Sequence, residues 1–254
     1  MYIIAHFHLK CKCLTASGQR AGLLQAALLQ RENVNRFWVY NGFMASFYLD
    51  FDYTLFDTAK FREGLYKILE MNGLDRSLLK LTPEYTENGH KLINMREIFA
   101  DLAEEHGISL ENFIAPLEKL YARGSELTFA DSMEFLRFLR ARGDKVCCLT
   151  WGDPDFQREK MAISGLEPLF DDIIYTNKLK YQLDIDYANS IFIDDSLRDL
   201  AGLLEAGAQE VIRVKRPSGK NSGKALPDAL GGVLEVESLA ELQQIMQGEE
   251  NDKS

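Results

Sequence analysis

At 254 residues the chain is long enough to bury a sizeable core, as one large domain or two modest ones. Its apolar share of 46% and charged share of 27% are those of an ordinary globular protein, and no apolar run approaches the length of a membrane span. A net charge of -10 and a pI near 5.0 make nucleic acid and anionic membrane poor partners, so an anionic small substrate would need local positive charge from a metal ion or a placed Lys.

Residues 1–43 carry Lys10, Lys12, Arg20, Arg31 and Arg36 against Glu32 alone, whereas the rest of the chain is acidic. One short helix is predicted over 19–31. The apolar stretch 21–29 is broken by Gln25 and lacks a small-residue cleavage site, so it does not read as a signal peptide. His6, His8, Cys11 and Cys13 sit closer together than the usual zinc-binding spacings and are not expected to hold a metal. The segment is expected to be a leader outside the fold, with the domain starting at Met44. The four Cys fall as Cys11 with Cys13 and Cys147 with Cys148, which is no disulfide framework and fits a reducing cytoplasm.

From Met44 onward, strands and helices alternate. A short strand over 47–49 ends at Asp50. Phe61, Leu65, Ile68, Leu69 and Met71 have helical spacing and stop near Gly73. Helices are predicted over 95–105 and 110–122, the second with a kink at Pro116. Asp131 and Glu134 resemble a capping box ahead of a helix that buries Met133, Phe135, Leu136 and Leu139. Residues 145–150 form a continuous apolar strand, as expected for one covered on both faces, with Cys147 and Cys148 as small buried hydrophobes.

A helix over 155–164 and strands over 172–175 and 190–193 come next. A helix over 197–205 and a strand over 210–214 lead to a loop at 215–224 whose composition reads as mobile. A last strand over 232–236 and a helix over 239–246 precede a frayed tail at 248–254. This alternation predicts an α/β fold: a Rossmann-like parallel sheet covered by helices on both faces. The core would comprise 44–58 and 128–247. Residues 59–127 read as an entirely helical cap inserted after the first strand.

Polar clusters fall at the predicted carboxyl ends of the strands, where open α/β sheets bind ligands. Asp50 and Asp52 end the first strand, and two carboxylates that close repel each other unless a cation or a proton intervenes. Thr150, Trp151 and Gly152 end the strand over 145–150, with a Gly that lets backbone amides turn toward a ligand. Lys178 and Lys180 follow the next strand. Asp194 and Asp195 end the strand after that, and Asp199 lies one helical turn on.

These four features, in this order, resemble the haloacid dehalogenase-like (HAD) superfamily over residues 46 to about 247: D-x-D-x-T-L, a strand ending in Thr or Ser, a Lys, and a strand ending in a carboxylate pair. The resemblance implies a hydrolase acting on a small phosphorylated metabolite with Mg2+ as cofactor. Asp50 would be the nucleophile that forms an aspartyl-phosphate. Asp52 would be the acid and then the base, which requires a carboxyl held protonated near neutral pH. Thr150, with the Trp151 amide and Gly152, would bind the phosphoryl group. A Lys would neutralise it, Lys180 being the first choice by its distance from the preceding strand and Lys178 the second. Asp194 and Asp195 would hold Mg2+ with the Asp50 carboxylate and the Asp52 backbone carbonyl.

Tyr53 departs from the family's usual Gly. Polar contacts to the leaving group are sought in the cap among His90, Lys91, Arg96, Tyr121 and Arg123. A phosphotransferase or mutase fits every motif equally. A dehalogenase of the same superfamily needs neither Asp52 nor the carboxylate pair, and a non-catalytic binding module is the remaining alternative. Oligomeric state is not legible.

Overall fold

Ser46–Leu49 forms the first strand, β1, because its residues alternate toward two packed faces. Phe47 and Leu49 are buried, while Tyr48 stacks on Phe192 with ring centroids 5.3 Å apart. The computed structural model describes residues 45–79, 85–86, 89–90, 94–208, 210–219 and 221–251. The leader expected over 1–43, with His6, His8, Cys11 and Cys13, lies outside them.

In chain order β1 is followed by α1 (Thr58–Met71), a hairpin of β2 (Tyr85–Thr86) and β3 (Gly89–His90), α2 (Met95–His106) and α3 (Glu111–Ala122). Then come α4 (Ser132–Ala141), β4 (Lys145–Trp151), α5 (Pro154–Ser164), β5 (Asp172–Thr176) and β6 (Ser190–Asp194). The series closes with α6 (Leu197–Glu205), β7 (Glu210–Val214), β8 (Leu234–Val236) and α7 (Leu239–Asn251). Six strands make one sheet in the order β5-β4-β1-β6-β7-β8, and every neighbouring pair is parallel. This is the predicted α/β Rossmann-like architecture. No helix among the described residues is long and apolar enough to cross a membrane.

Register sets the site. Leu49 lies opposite both Cys148 and Ile193, and the Asp50 amide donates to the Ile193 carbonyl at 2.8 Å. β1, β4 and β6 therefore end side by side, and the polar residues that follow them meet. The cores of β4 and β6 are buried throughout, so these strands read as continuous apolar runs rather than alternating ones.

Several sequence expectations are corrected. The 59–127 segment is not entirely helical, because it contains the β2–β3 hairpin. Met71 is 73% exposed: two residues beyond Leu69, it has rotated past the buried stripe of Phe61, Leu65, Ile68 and Leu69. Met133 is only half-buried. Asp131 makes no side-chain bond to its own helix. Its carboxylate instead accepts from the Leu239 and Ala240 amides at 2.9 and 3.2 Å, which caps α7, and it pairs with Arg216. The last helix runs through Asn251, past the expected start of the tail.

The expected loop at 215–224 is tied down by two buried arginines. Arg213 donates to the Asn221 and Lys224 carbonyls at 2.8 and 3.0 Å and pairs with Glu235 at 2.5 Å. Arg216 donates to the Thr54 carbonyl, grips Asp131 through two bonds of 2.8 and 2.7 Å, and lies 4.2 Å from the Phe129 ring centroid.

Candidate active site

Asp50 follows β1 directly and is 7% exposed. Lys180, 2% exposed in a single 3-10 turn after β5, places its Nζ 2.5 Å from Asp50 Oδ1 and 2.6 Å from Asp194 Oδ2. Asp194 Oδ1 also accepts from the Ser196 amide at 2.8 Å. Carboxylate oxygens of Asp50, Asp194 and Asp195 lie within 4.8 Å of one another, all buried. Three carboxylates against one ammonium leave a strongly negative, oxygen-only donor set. That fits a hard cation such as Mg2+.

The electrostatics agree. Burial pushes the Asp50 carboxyl well above the usual range; Lys180 opposes this, while Asp194 and Asp195 reinforce it. Burial and then Asp194 push Asp195 up to about 7. Burial disfavours the Lys180 ammonium, but Asp194, Asp50 and Asp199 outweigh it and raise its pKa. A bound divalent cation would relieve the acids, since they are raised by desolvation and mutual repulsion.

Asp52 stands apart from this group, held by three side chains that sequence reading did not single out. Lys160 Nζ sits 2.6 and 2.7 Å from its two oxygens, Gln157 Nε2 donates at 2.8 Å, and the Thr58 hydroxyl donates to Oδ1. Burial opposes ionisation, yet Lys160, Thr58 and Gln157 overcome it and hold the carboxyl below its ordinary value. In the free protein these partners favour the Asp52 carboxylate over the protonated form that the acid role requires. Gln157 and Lys160 share a face of α5 at i, i+3 spacing. Both are buried, which their helical spacing alone does not reveal.

α5 begins on Asp153, whose side chain accepts from the Asp155 and Phe156 amides. The turn before it needs Gly152, at φ 150°, where an added Cβ would lie 2.8 Å from Gln157 Nε2. Thr150 is 1% exposed, and its hydroxyl has no hydrogen-bond partner among the described residues. Trp151 and Gly152 reach the cavity wall, whereas Thr150 lies behind it. Lys178 is exposed and stays off the wall: the chain turns at Thr176, whose hydroxyl accepts from the Lys178 amide at 2.9 Å, and only Lys180 is carried inward. Asp199 is 4% exposed, paired with Arg198 at 3.1 Å.

The cavity is about 470 Å³, the size of a small-metabolite site. Of the cap residues proposed as contacts, Arg96 instead pairs with Glu118 and Glu159, and Arg123 with Glu126. Tyr121 is buried and absent from the wall. His90 and Lys91 have side chains outside the described residues. Tyr53, Arg62, Asn221 and Lys224 line the wall in their place.

No family model matches this chain, and no curated protein matches it. Solved structures do. L-2-haloacid dehalogenase from Xanthobacter autotrophicus superposes with a TM-score of 0.51 at 17% identity, over 81% of this chain and 99% of that one. A HAD family hydrolase from Deinococcus radiodurans R1, solved with bound phosphate and sodium, gives a TM-score of 0.51 at 21% identity, over 81% and 96%. At these identities the likeness speaks for the fold alone: over about four-fifths of its length this chain folds as those two proteins do.

Proposed function

We propose that the protein is a Mg2+-dependent hydrolase of small phosphomonoesters, working through an aspartyl-phosphate on Asp50. The observation that carries this reading is the buried group of Asp50, Asp194 and Asp195 around Lys180, at the ends of β1 and β6. Asp50, Asp194 and Asp195, with the Asp52 backbone carbonyl, would hold Mg2+. The ion would supply positive charge that keeps Asp50 ionised and offsets the charge of an incoming phosphoryl group.

Lys180 occupies Asp50 Oδ1 and leaves Oδ2 free of side-chain donors among the described residues, so Oδ2 is the oxygen available to attack phosphorus. Trp151, Gly152 and Asp153 line the cavity beside Asp50, where the phosphoryl group would sit, with the unpartnered Thr150 hydroxyl behind them and the Gly152 amide spent on the Thr176 carbonyl at 2.9 Å. Asp52, ionised in the free protein, is in the state that takes a proton from water in the second half of the cycle. A phosphoryl dianion arriving beside it raises its proton affinity, since like charges disfavour ionisation. That places Asp52 in its acid form for departure of the alcohol.

A phosphatase panel with and without Mg2+, comparing the parent with Asp50→Asn and Asp52→Asn, tests the proposal. Loss of turnover by about a thousandfold in the first and a hundredfold or more in the second is expected. Equal turnover in all three proteins rejects it. Fluoride release from fluoroacetate without metal would instead favour the dehalogenase reading.

A further inference from the structure

Three cations on the cavity wall are already matched by acids: Lys180 by Asp50 and Asp194, Lys160 by Asp52, and Arg198 by Asp199. Arg62 is not. It is half-buried on α1, in the segment that follows the Asp50-Asp52 turn, and it lines the same cavity. It donates to the Tyr66 hydroxyl at 2.9 Å, lies 5.9 Å from the centre of that ring, and interacts with the Tyr53 hydroxyl. No carboxylate pairs with it among the described residues. Phenols are neutral at physiological pH, so they orient the guanidinium without cancelling its charge.

Tyr53 supplies a second, independent observation. Its φ is 62°, the one non-glycine residue with positive φ among those described, and such a conformation costs roughly 1–2 kcal/mol. A glycine would carry that backbone without strain. The strain falls at a residue whose side chain lines the same cavity as Arg62. Lys224 adds a further cation to the wall, exposed and placed there by the Arg213-pinned loop.

We infer that Arg62, oriented by Tyr53 and Tyr66 and seconded by Lys224, binds a second anionic group carried by the leaving alcohol. The substrates are then phosphomonoesters of alcohols that bear a carboxylate or another phosphate. The inference rests on the hydrolase reading for the word substrate, but the anion site itself is tested by binding. A charge-assisted contact with a guanidinium discriminates by about tenfold or more.

The test is calorimetric titration with three non-hydrolysable ligands of matched length: phosphonopropionate, hydroxypropylphosphonate and propylene diphosphonate. In the parent protein with Mg2+, phosphonopropionate or the diphosphonate binds at least about tenfold more tightly than the neutral hydroxypropyl compound. Whichever anionic ligand binds more tightly identifies the second group. In Arg62→Gln this ratio falls to within about twofold, in Arg62→Lys it is partly kept, and in Lys224→Gln it falls less. The ratio is internal to each protein, so a loss of fold, checked by the melting temperature, is not mistaken for a loss of preference. Equal affinities in the parent, or a ratio unchanged in both Arg62 variants, overturn the inference. An intact ratio with no turnover of any ester would sink the hydrolase proposal and leave the anion site standing.

Discussion

At the scale of single residues, the site is governed by which carboxylates have a private counter-ion. Asp52 has one in Lys160, itself 3% exposed. Removing it in Lys160→Met leaves a largely buried carboxylate unpaired and is expected to cost about 3 kcal/mol of stability, read from chemical denaturation. A loss below about 1 kcal/mol would mean that water already screens the pair. Tyr53→Gly makes the opposite trade. It relieves the left-handed strain, roughly 1–2 kcal/mol, against an entropic cost of about 0.5–1 kcal/mol for a new glycine. A gain of about 0.5 kcal/mol in unfolding free energy is expected, and a loss of more than about 1 kcal/mol would show that the Tyr53 ring matters more for packing than its backbone costs. Asp50, Asp52, Asp194 and Asp195 were legible because acids that end apolar strands are conspicuous. Lys160, Thr58 and Arg62 were not, because a polar residue on a helix looks solvated until the packing of that helix is known.

Among the elements, the loop after β7 shows how far composition misleads. Its Gly, Ser and Lys content reads as mobile, yet Arg213 and Arg216 tie it to β8, to the Asp50-Asp52 turn and to the start of α7. Arg216→Met leaves Asp131 without its partner while Asp131 still caps α7. A loss of about 3 kcal/mol is expected, together with faster amide exchange over 217–224 and in the first turn of α7. Exchange confined to one of the two segments would show that they are not coupled through Asp131. The helices over 95–105 and 110–122 emerged from periodicity with their ends nearly right, since Asn94 caps the first and Gly107 stops it. The Asp131-Glu134 pattern failed for a different reason. The same short carboxylate that can cap its own helix is spent on one a hundred residues away, a competition no local window contains.

For the molecule as a whole, the buried acids couple stability to pH and to metal. Asp195 titrates near 7 in the folded chain and near 4 when unfolded, so between these values the unfolded chain binds fewer protons. In chelator, stability should therefore fall as pH rises from about 4 to 7, by about 3 kcal/mol or roughly 10 °C in melting temperature. Asp52 acts in the other direction: its contribution is present above pH about 4 and is lost as pH falls through its lowered value. On the proposed reading Mg2+ would bind the ionised acids, so millimolar Mg2+ should raise the melting temperature most at pH 7 and above. Melting curves across pH with and without Mg2+ check both statements, and a curve that Mg2+ leaves unchanged would count against the cation site. By itself the sequence determined the parallel α/β sheet and the acids at its carboxyl edge, because strand and helix periods and the ends of apolar runs are local properties of the chain. Only the tertiary structure decided which lysine enters, which cation stays unmatched and what state Asp52 keeps, because burial and counter-charge come from residues brought together across more than a hundred positions.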